Sequence, residues 1–149
     1  MAQIQRLCPD NIALARALNA LFSEVFEAPG QYRDNPPSDA WLAARLADPN
    51  MVSLVAREGD AVVGGLTAYV LPKLEQERSE VYIYDLAVRE THWRCGIATA
   101  LIAELQRLAS ALGAWVIFVQ ADYGDDPAIA LYTKLGARED VLHFDIAPR

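Results

Sequence analysis

Ser79-Glu-Val-Tyr-Ile-Tyr-Asp-Leu-Ala-Val88 leads through the polar run Arg89 to Cys95 into Gly96-Ile-Ala-Thr-Ala-Leu-Ile-Ala-Glu-Leu-Gln-Arg-Leu108. The first segment alternates aromatic and β-branched residues, the pattern of a strand. The second places Ile97, Leu101, Leu105, Leu108 and Leu112 on one stripe, the pattern of a helix that Gly113 stops. Ala114 to Ala121 is nearly all apolar and reads as a strand buried on both faces. A strand, a crossover helix and a further strand form the half of the chain that decides the fold.

Working back toward the N-terminus, Met51–Arg57 and Ala61–Leu71 read as a hairpin around Glu58-Gly59-Asp60. Gly64-Gly65 marks a bulge or a close backbone approach. Gln3 to Leu7 is a short first strand. A helix opens at Pro9-Asp10, with Ile12, Ala15, Leu18, Phe22 and Val25 on its apolar face, and ends at Pro29-Gly30. Gln31 to Pro37 reads as a loop, and Ser38 caps a second short helix. Toward the C-terminus, Asp122 to Pro127 is a loop, Ala128 to Leu135 a helix ended by Gly136, and Val141 to Ile146 a last strand. The expected order is β-α-α-β-β-β-α-β-α-β. This predicts one α/β (α+β) domain over residues 1–149, a mixed, mostly antiparallel sheet covered by helices. The early half lacks the alternation of a doubly wound nucleotide fold.

Composition narrows the function. The 149 residues carry a net charge of −7, with only two lysines, Lys73 and Lys134, and eleven scattered arginines. No basic stripe of the kind a nucleic-acid binder needs is present. An acidic surface attracts cations. No apolar run reaches membrane-spanning length and the first residues lack a signal-peptide layout, so the expectation is a soluble, cytoplasmic protein. Cys8 and Cys95 are too few for a disulfide scaffold. His92 and His143 lack metal-ligand spacing, so no metal is expected.

The chemistry concentrates where the central strand meets the central helix. A helix N-terminus offers unpaired N–H groups and positive partial charge, which suit a phosphate. Gly96 and Ala98 are small enough for an anion to approach the backbone, although many ordinary helix starts look the same. Asp85 is a carboxylate within an apolar strand, which calls for a function, a partner or a bulge that ties it to backbone. Tyr82 and Tyr84 lie on the opposite face from Ile83 if the alternation is regular. Asp122, Asp125 and Asp126 place three carboxylates within five residues; a polyamine site and a solvated loop with one helix cap both fit.

Two motifs carry a resemblance. Trp93-Arg-Cys-Gly96-Ile-Ala98 and Asp125 through Gly136 resemble the cofactor loop and the later Asn-x-x-Ala-x-x-Leu-Tyr-x-x-x-Gly motif of the GCN5-related N-acetyltransferases. Further segments are similar to the type I aminoglycoside 3-N-acetyltransferases: Tyr82 to Val88, Gly96 to Ile102, Val119 to Pro127, Ala130 to Gly136, and His143-Phe-Asp-Ile146. The resemblance implies acetyl-CoA as cosubstrate, a parallel strand pair at its site, and a small polycationic acceptor acetylated on its 3-amino group. It implies that Leu86, Ala87 and Val88 hold the pantetheine arm, and that Arg94, Cys95, Gly96, Ile97, Ala98 and Thr99 hold the pyrophosphate. Asp85 becomes the expected base, acting directly, through water or as an ammonium ligand. Tyr132 matches the family's general acid; its alternative is a core ring with a satisfied hydroxyl. Glu80, Tyr82, Tyr84, Asp122, Tyr123, Asp126 and Asp145 are the expected acceptor contacts. Trp93 departs from the Gln or Arg that opens the family's loop, and Asp125 from its Asn. Other polyamines, peptide amines and a non-catalytic CoA sensor remain alternative readings. A homodimer through an exposed sheet edge is an open expectation.

Overall fold

The computed structural model describes all 149 residues. Its centre is a five-stranded sheet in the order β1-β2-β3-β4-β5: β1 (Gln3–Arg6), β2 (Met51–Glu58), β3 (Ala61–Pro72), β4 (Ser79–Val88) and β5 (Ala114–Val119). All pairings are antiparallel except β4 with β5, which is parallel. The helices are α1 (Ile12–Val25), α2 (Pro29–Tyr32), α3 (Asp39–Ala47), α4 (Ile97–Ala111) and α5 (Asp126–Leu135). No helix is long and apolar enough to cross a membrane.

The sheet is covered on both faces. One face packs Val52, Leu54, Leu66, Val81 and Ile83 against Ile97, Leu101 and Leu105 of α4. The other packs Val55, Val62 and Ala87 against Leu18, Leu21 and Phe22 of α1. Each buried aliphatic side chain contributes about 1.5–3 kcal/mol relative to exposure, so these two layers fix the sheet between its helices. Gly64 and Gly65 provide the close approach that the sequence suggests. A Cβ on Gly65 would lie 2.3 Å from Leu18 Cδ1 and 2.7 Å from the Leu54 carbonyl oxygen; one on Gly64 would lie 2.9 Å from Ile97 Cγ2. These two glycines therefore let α1 and the start of α4 sit directly on opposite faces of β3.

Capping follows the chemistry of the sequence. Ser38 Oγ accepts from Trp41 N at 3.1 Å at the start of α3. Asp125 Oδ1 accepts from Ala128 N at 3.4 Å, so α5 begins at Asp126, two residues before the expected Ala128.

Several expectations change. The first helix starts at Ile12, not at Pro9-Asp10, and Pro29 opens the one-turn α2 instead of closing the first helix. The buried stripe of α4 turns toward Ile102 and Ala109, leaving Leu112 exposed. Ala114–Ala121 shortens to Ala114–Val119, and none of its residues is fully buried, because β5 is an edge strand with a neighbour on one side only. The last strand, Val141–Ile146, does not form. Its residues are exposed and no backbone hydrogen bond reaches them, because no strand of this chain lies alongside.

Candidate active site

Two irregularities in the sheet build the site. The first is a bulge in β4. Thr67 pairs with Asp85 and Ala68 with Ile83, which leaves Tyr84 as the extra residue. One extra residue shifts the two-residue alternation, so every side chain beyond it changes face. A regular strand would set Asp85 beside Ile83, under α4. The bulge instead turns it to the α1 face, where the Tyr32 hydroxyl donates to Oδ1 at 2.6 Å and Thr67 Oγ1 donates to Oδ2 at 3.2 Å.

Asp85 has no ion-pair partner, and tyrosines surround it. Burial first, then the hydrogen bond and charge of Asp85, hold the Tyr32 phenol well above its usual range. Burial and the same carboxylate raise Tyr69, against a lowering by Arg45; burial, Tyr84 and Asp85 raise Tyr82. The rings form a continuous row: Tyr69 meets Tyr84 edge-on at 5.9 Å, Tyr84 meets Tyr82 at 5.7 Å, and Tyr82 stacks on Phe118 at 4.7 Å. The Tyr82 hydroxyl donates to Gln120 Oε1 at 2.9 Å. Asp85, Thr67 and Tyr69 also border a cleft of about 240 Å³ between the sheet, α1 and α3, with Trp41, Arg45 and Phe22 on its other walls.

The second irregularity is the parting of β4 and β5. Their pairing runs from Ser79 to Ile83 and stops, while β4 continues to Val88. Arg89 N donates to Val63 O at 2.8 Å in register with the β3–β4 ladder. In an antiparallel ladder the bonding direction alternates. Ala87 therefore turns its N–H and C=O to β3, whereas Leu86 and Val88 turn theirs into the gap. Ala87 contributes instead a buried Cβ against α1. The Val88 carbonyl accepts from Trp93 Nε1 at 2.7 Å. Trp93 thus braces the end of β4, a task the Gln or Arg of the family loop has no indole to perform.

Beyond Trp93 the chain supplies a row of donors. The backbone N–H groups of Arg94, Cys95, Gly96, Ile97, Ala98 and Thr99 donate to no backbone carbonyl or side chain of the protein. Arg94 at φ 60° and Gly96 at φ 77° are both left-handed, a conformation that curls successive N–H groups around one point. Gly96 adopts it without strain, and α4 then starts with no side-chain cap. The donor row and the N-terminal half-charge of α4 share one end of the gap.

The remaining expected residues are dispersed. Tyr132 lies on α5 and packs against the α4-side core. Burial, then the Asp125 charge, pushes its phenol up to about 12, so it holds its proton throughout the neutral range. Glu80 sits near the start of β4, 3.6 Å from Lys73 Nζ, and not with the Asp122 loop. Asp122, Tyr123 and Asp126 are exposed on the loop and first turn before α5. Asp145 stands on the C-terminal segment, where His143 is its partner at 2.9 Å. Cys95 is exposed and free. No three His, Cys, Asp or Glu side chains converge as a metal site. Sequence reasoning missed Tyr32, Tyr69 and Thr67. Thr67 was detectable as a hydroxyl in an apolar strand; Tyr32, 53 residues from Asp85, gave no local signal.

Comparison with known proteins agrees with this architecture. An aminoglycoside acetyltransferase, HMB0005, from an uncultured soil metagenomic sample is 50% identical; the match covers 100% of this chain and 99% of that one, with a TM-score of 0.97. A second, meta-AAC0020, also from an uncultured soil metagenomic sample and solved in complex with sisomicin, is 33% identical over 99% of this chain and 97% of that one, with a TM-score of 0.90. An N-alpha-acetyltransferase of Sulfurisphaera tokodaii is 29% identical over 89 residues, 52% of this chain; the match spans about half the length of that curated relative, 53%. Residues 14–137 match the acetyltransferase (GNAT) family, and this chain belongs to it.

Proposed function

We propose that this protein transfers the acetyl group of acetyl-CoA to an amine of an aminoglycoside, at the 3-amino group of the 2-deoxystreptamine ring, and so confers resistance to gentamicin-type antibiotics. The observation that carries the reading is the set of six unpaired N–H groups, Arg94 to Thr99, beside the open outer edge of Leu86 and Val88. The donor row fits a pyrophosphate, and the strand edge fits an amide-bearing arm laid along it as an added strand. Acetyl-CoA supplies the thioester that is consumed. Every other task falls to the chain's own residues.

Leu86 and Val88 direct polar backbone atoms into the gap, so an N–H of this edge polarises the thioester carbonyl. Val88 has only its N–H free for this, because Trp93 occupies its carbonyl. Asp85 lacks a cationic partner, so an acceptor ammonium supplies one; the carboxylate draws the ammonium in and takes its proton, directly or through water. Tyr132, protonated throughout the neutral range, directs its hydroxyl at the leaving sulfur and passes on to it the proton that the acceptor nitrogen gives up. Tyr82, Tyr84 and Tyr123 offer ring faces to the sugar, and Glu80, Asp122, Asp126 and Asp145 offer dispersed negative charge to its other ammonium groups. The net charge of −7 favours a polycation over an anionic acceptor. The structure of a 33%-identical relative with sisomicin supports that acceptor class.

The test is thiol release from acetyl-CoA with gentamicin, beside spermidine, an N-terminal peptide and a blank without acceptor, with the product's acetyl position read by NMR. Rapid release with gentamicin and acetylation at the 3-amino group are expected. Turnover confined to spermidine or the peptide would replace the acceptor. Acetyl-CoA binding without turnover on any amine would make the protein a CoA sensor.

A further inference from the structure

Arg45 is a cation that the acetyl-transfer chemistry leaves unused. It stands in the last turn of α3 and borders the cleft of about 240 Å³ that Asp85 also lines. Its Nε is buried without a hydrogen-bond partner. Arg57 and Arg78 share that feature, but each has a carboxylate in reach, Asp60 at 3.6 Å and Glu75 at 4.0 Å. Arg45 has none, and its guanidinium lies 4.9 Å from the centre of the Trp41 ring. A cation at the end of a helix suits the helix dipole, but it does so equally well from solvent. A charge drawn into a cleft without a counter-charge costs free energy unless a ligand supplies one.

Asp85 is the same case with the opposite sign. It has no ion pair, and the two charges do not pair with each other. Both reach the Tyr69 phenol: after burial, Asp85 raises it and Arg45 lowers it. The rest of the lining is mainly apolar, with Phe22, Leu42, Leu46 and Met51 among its walls. The volume lies below the roughly 300–1,000 Å³ of clefts that enclose a drug-sized ligand. It admits one small molecule, and a second ammonium inside it would meet the guanidinium. A polycation therefore neutralises Asp85 alone. A zwitterion neutralises both charges.

We propose that this cleft binds an apolar α-amino acid, its ammonium on Asp85, its carboxylate on Arg45 and its side chain against the apolar walls, and that the protein acetylates it as a second class of acceptor. The inference rests on the reading of Asp85 as proton acceptor in acetyl transfer. The amine nitrogen forms the new C–N bond to the acetyl carbon as the C–S bond of the thioester breaks. Of the two protons that the ammonium sheds, one passes through Asp85 to solvent and the other ends on the CoA sulfur. The products are the N-acetyl amino acid and free CoA.

The test sets leucine and phenylalanine beside leucinamide and phenylalaninamide, which keep the amine and lose the carboxylate, with gentamicin in parallel. Thiol release from acetyl-CoA gives kcat/KM for each, and calorimetry on the full chain gives binding apart from turnover. Each acid should bind and turn over about tenfold or more better than its amide, because a charge-assisted bidentate contact goes with the carboxylate. Arg45→Met keeps the apolar stem and should bring acid and amide within about twofold, whereas Arg45→Lys keeps the charge without the fork and should retain part of the preference. Circular dichroism and acetyl-CoA affinity of both variants should match the parent, because α3 packs on α1 and β2 and not on Arg94–Thr99. Equal handling of acid and amide by the parent, a preference that survives Arg45→Met, or acids that bind but are not acetylated while gentamicin is, would each overturn the proposal. Acetylation of leucine without that of gentamicin would keep it and remove the aminoglycoside; no transfer to any of these amines would overturn both.

Discussion

Replacing Asp85 by Asn probes the site with the least change of shape. Asp85 accepts a short bond from Tyr32 and a longer one from Thr67. A hydrogen bond to a charged acceptor contributes about 1.5–3 kcal/mol, against about 0.5–1.5 kcal/mol for a neutral one. The variant should therefore lose about 1–2 kcal/mol of stability, mostly at Tyr32, partly offset because a half-buried charge has been removed. Catalysis should lose far more. Removing a positioned proton acceptor lowers turnover by about 10²–10⁴-fold, equivalent to about 3–5 kcal/mol of barrier. The KM for the aminoglycoside should rise as well, while that for acetyl-CoA stays put, because the donor row at Arg94–Thr99 is untouched. Steady-state thiol release gives both constants, and urea unfolding gives the stability. An ultraviolet titration of the tyrosines reports whether the contact was broken, since Asp85 helps hold the Tyr32 phenol high and its titration should move toward the ordinary range. A variant with Tyr32 released but kcat/KM within threefold of the parent would refute the argument and reduce Asp85 to a structural anchor for α2.

Tyr132→Phe should lower kcat by about 10–100-fold at unchanged KM for both substrates. It should also flatten part of the alkaline stability limb. The folded phenol titrates near 12, above its unfolded value of about 10, so its contribution is intact below pH 10 and is lost as the pH rises toward 12; urea midpoints across that range check the sign. Trp93→Phe removes the donor to Val88 O and frees that carbonyl. Acetyl-CoA affinity, measured by calorimetry, should weaken by several-fold through a less ordered β4 end, with the aminoglycoside KM unaffected. Gly65→Ala should destabilise by about 1–3 kcal/mol, because the Leu54 carbonyl oxygen 2.7 Å from the new Cβ belongs to the sheet and cannot swing aside as Leu18 can; a loss of unfolding free energy below about 0.5 kcal/mol in urea titrations would count against the packing argument.

Local pattern fixed most of the elements. The alternation of Ser79–Val88, the stripe on α4 and the Ser38 and Asp125 caps are each set by residues within one or two turns of each other. The donor loop was readable for the same reason, since a left-handed glycine at a helix start is a short-range event. Three decisions belonged to the tertiary structure. The face of Asp85 depended on a single bulged residue, and a period of two gives no warning of a one-residue slip. The choice of Tyr32 as its partner depended on α1 bringing a distant segment over β4. The absence of the last strand depended on what lies beside it. A strand is a pairing and not a propensity, so Val141–Ile146 has the sequence of one but pairs with no strand of this chain, although β1 and β5 each leave an edge open.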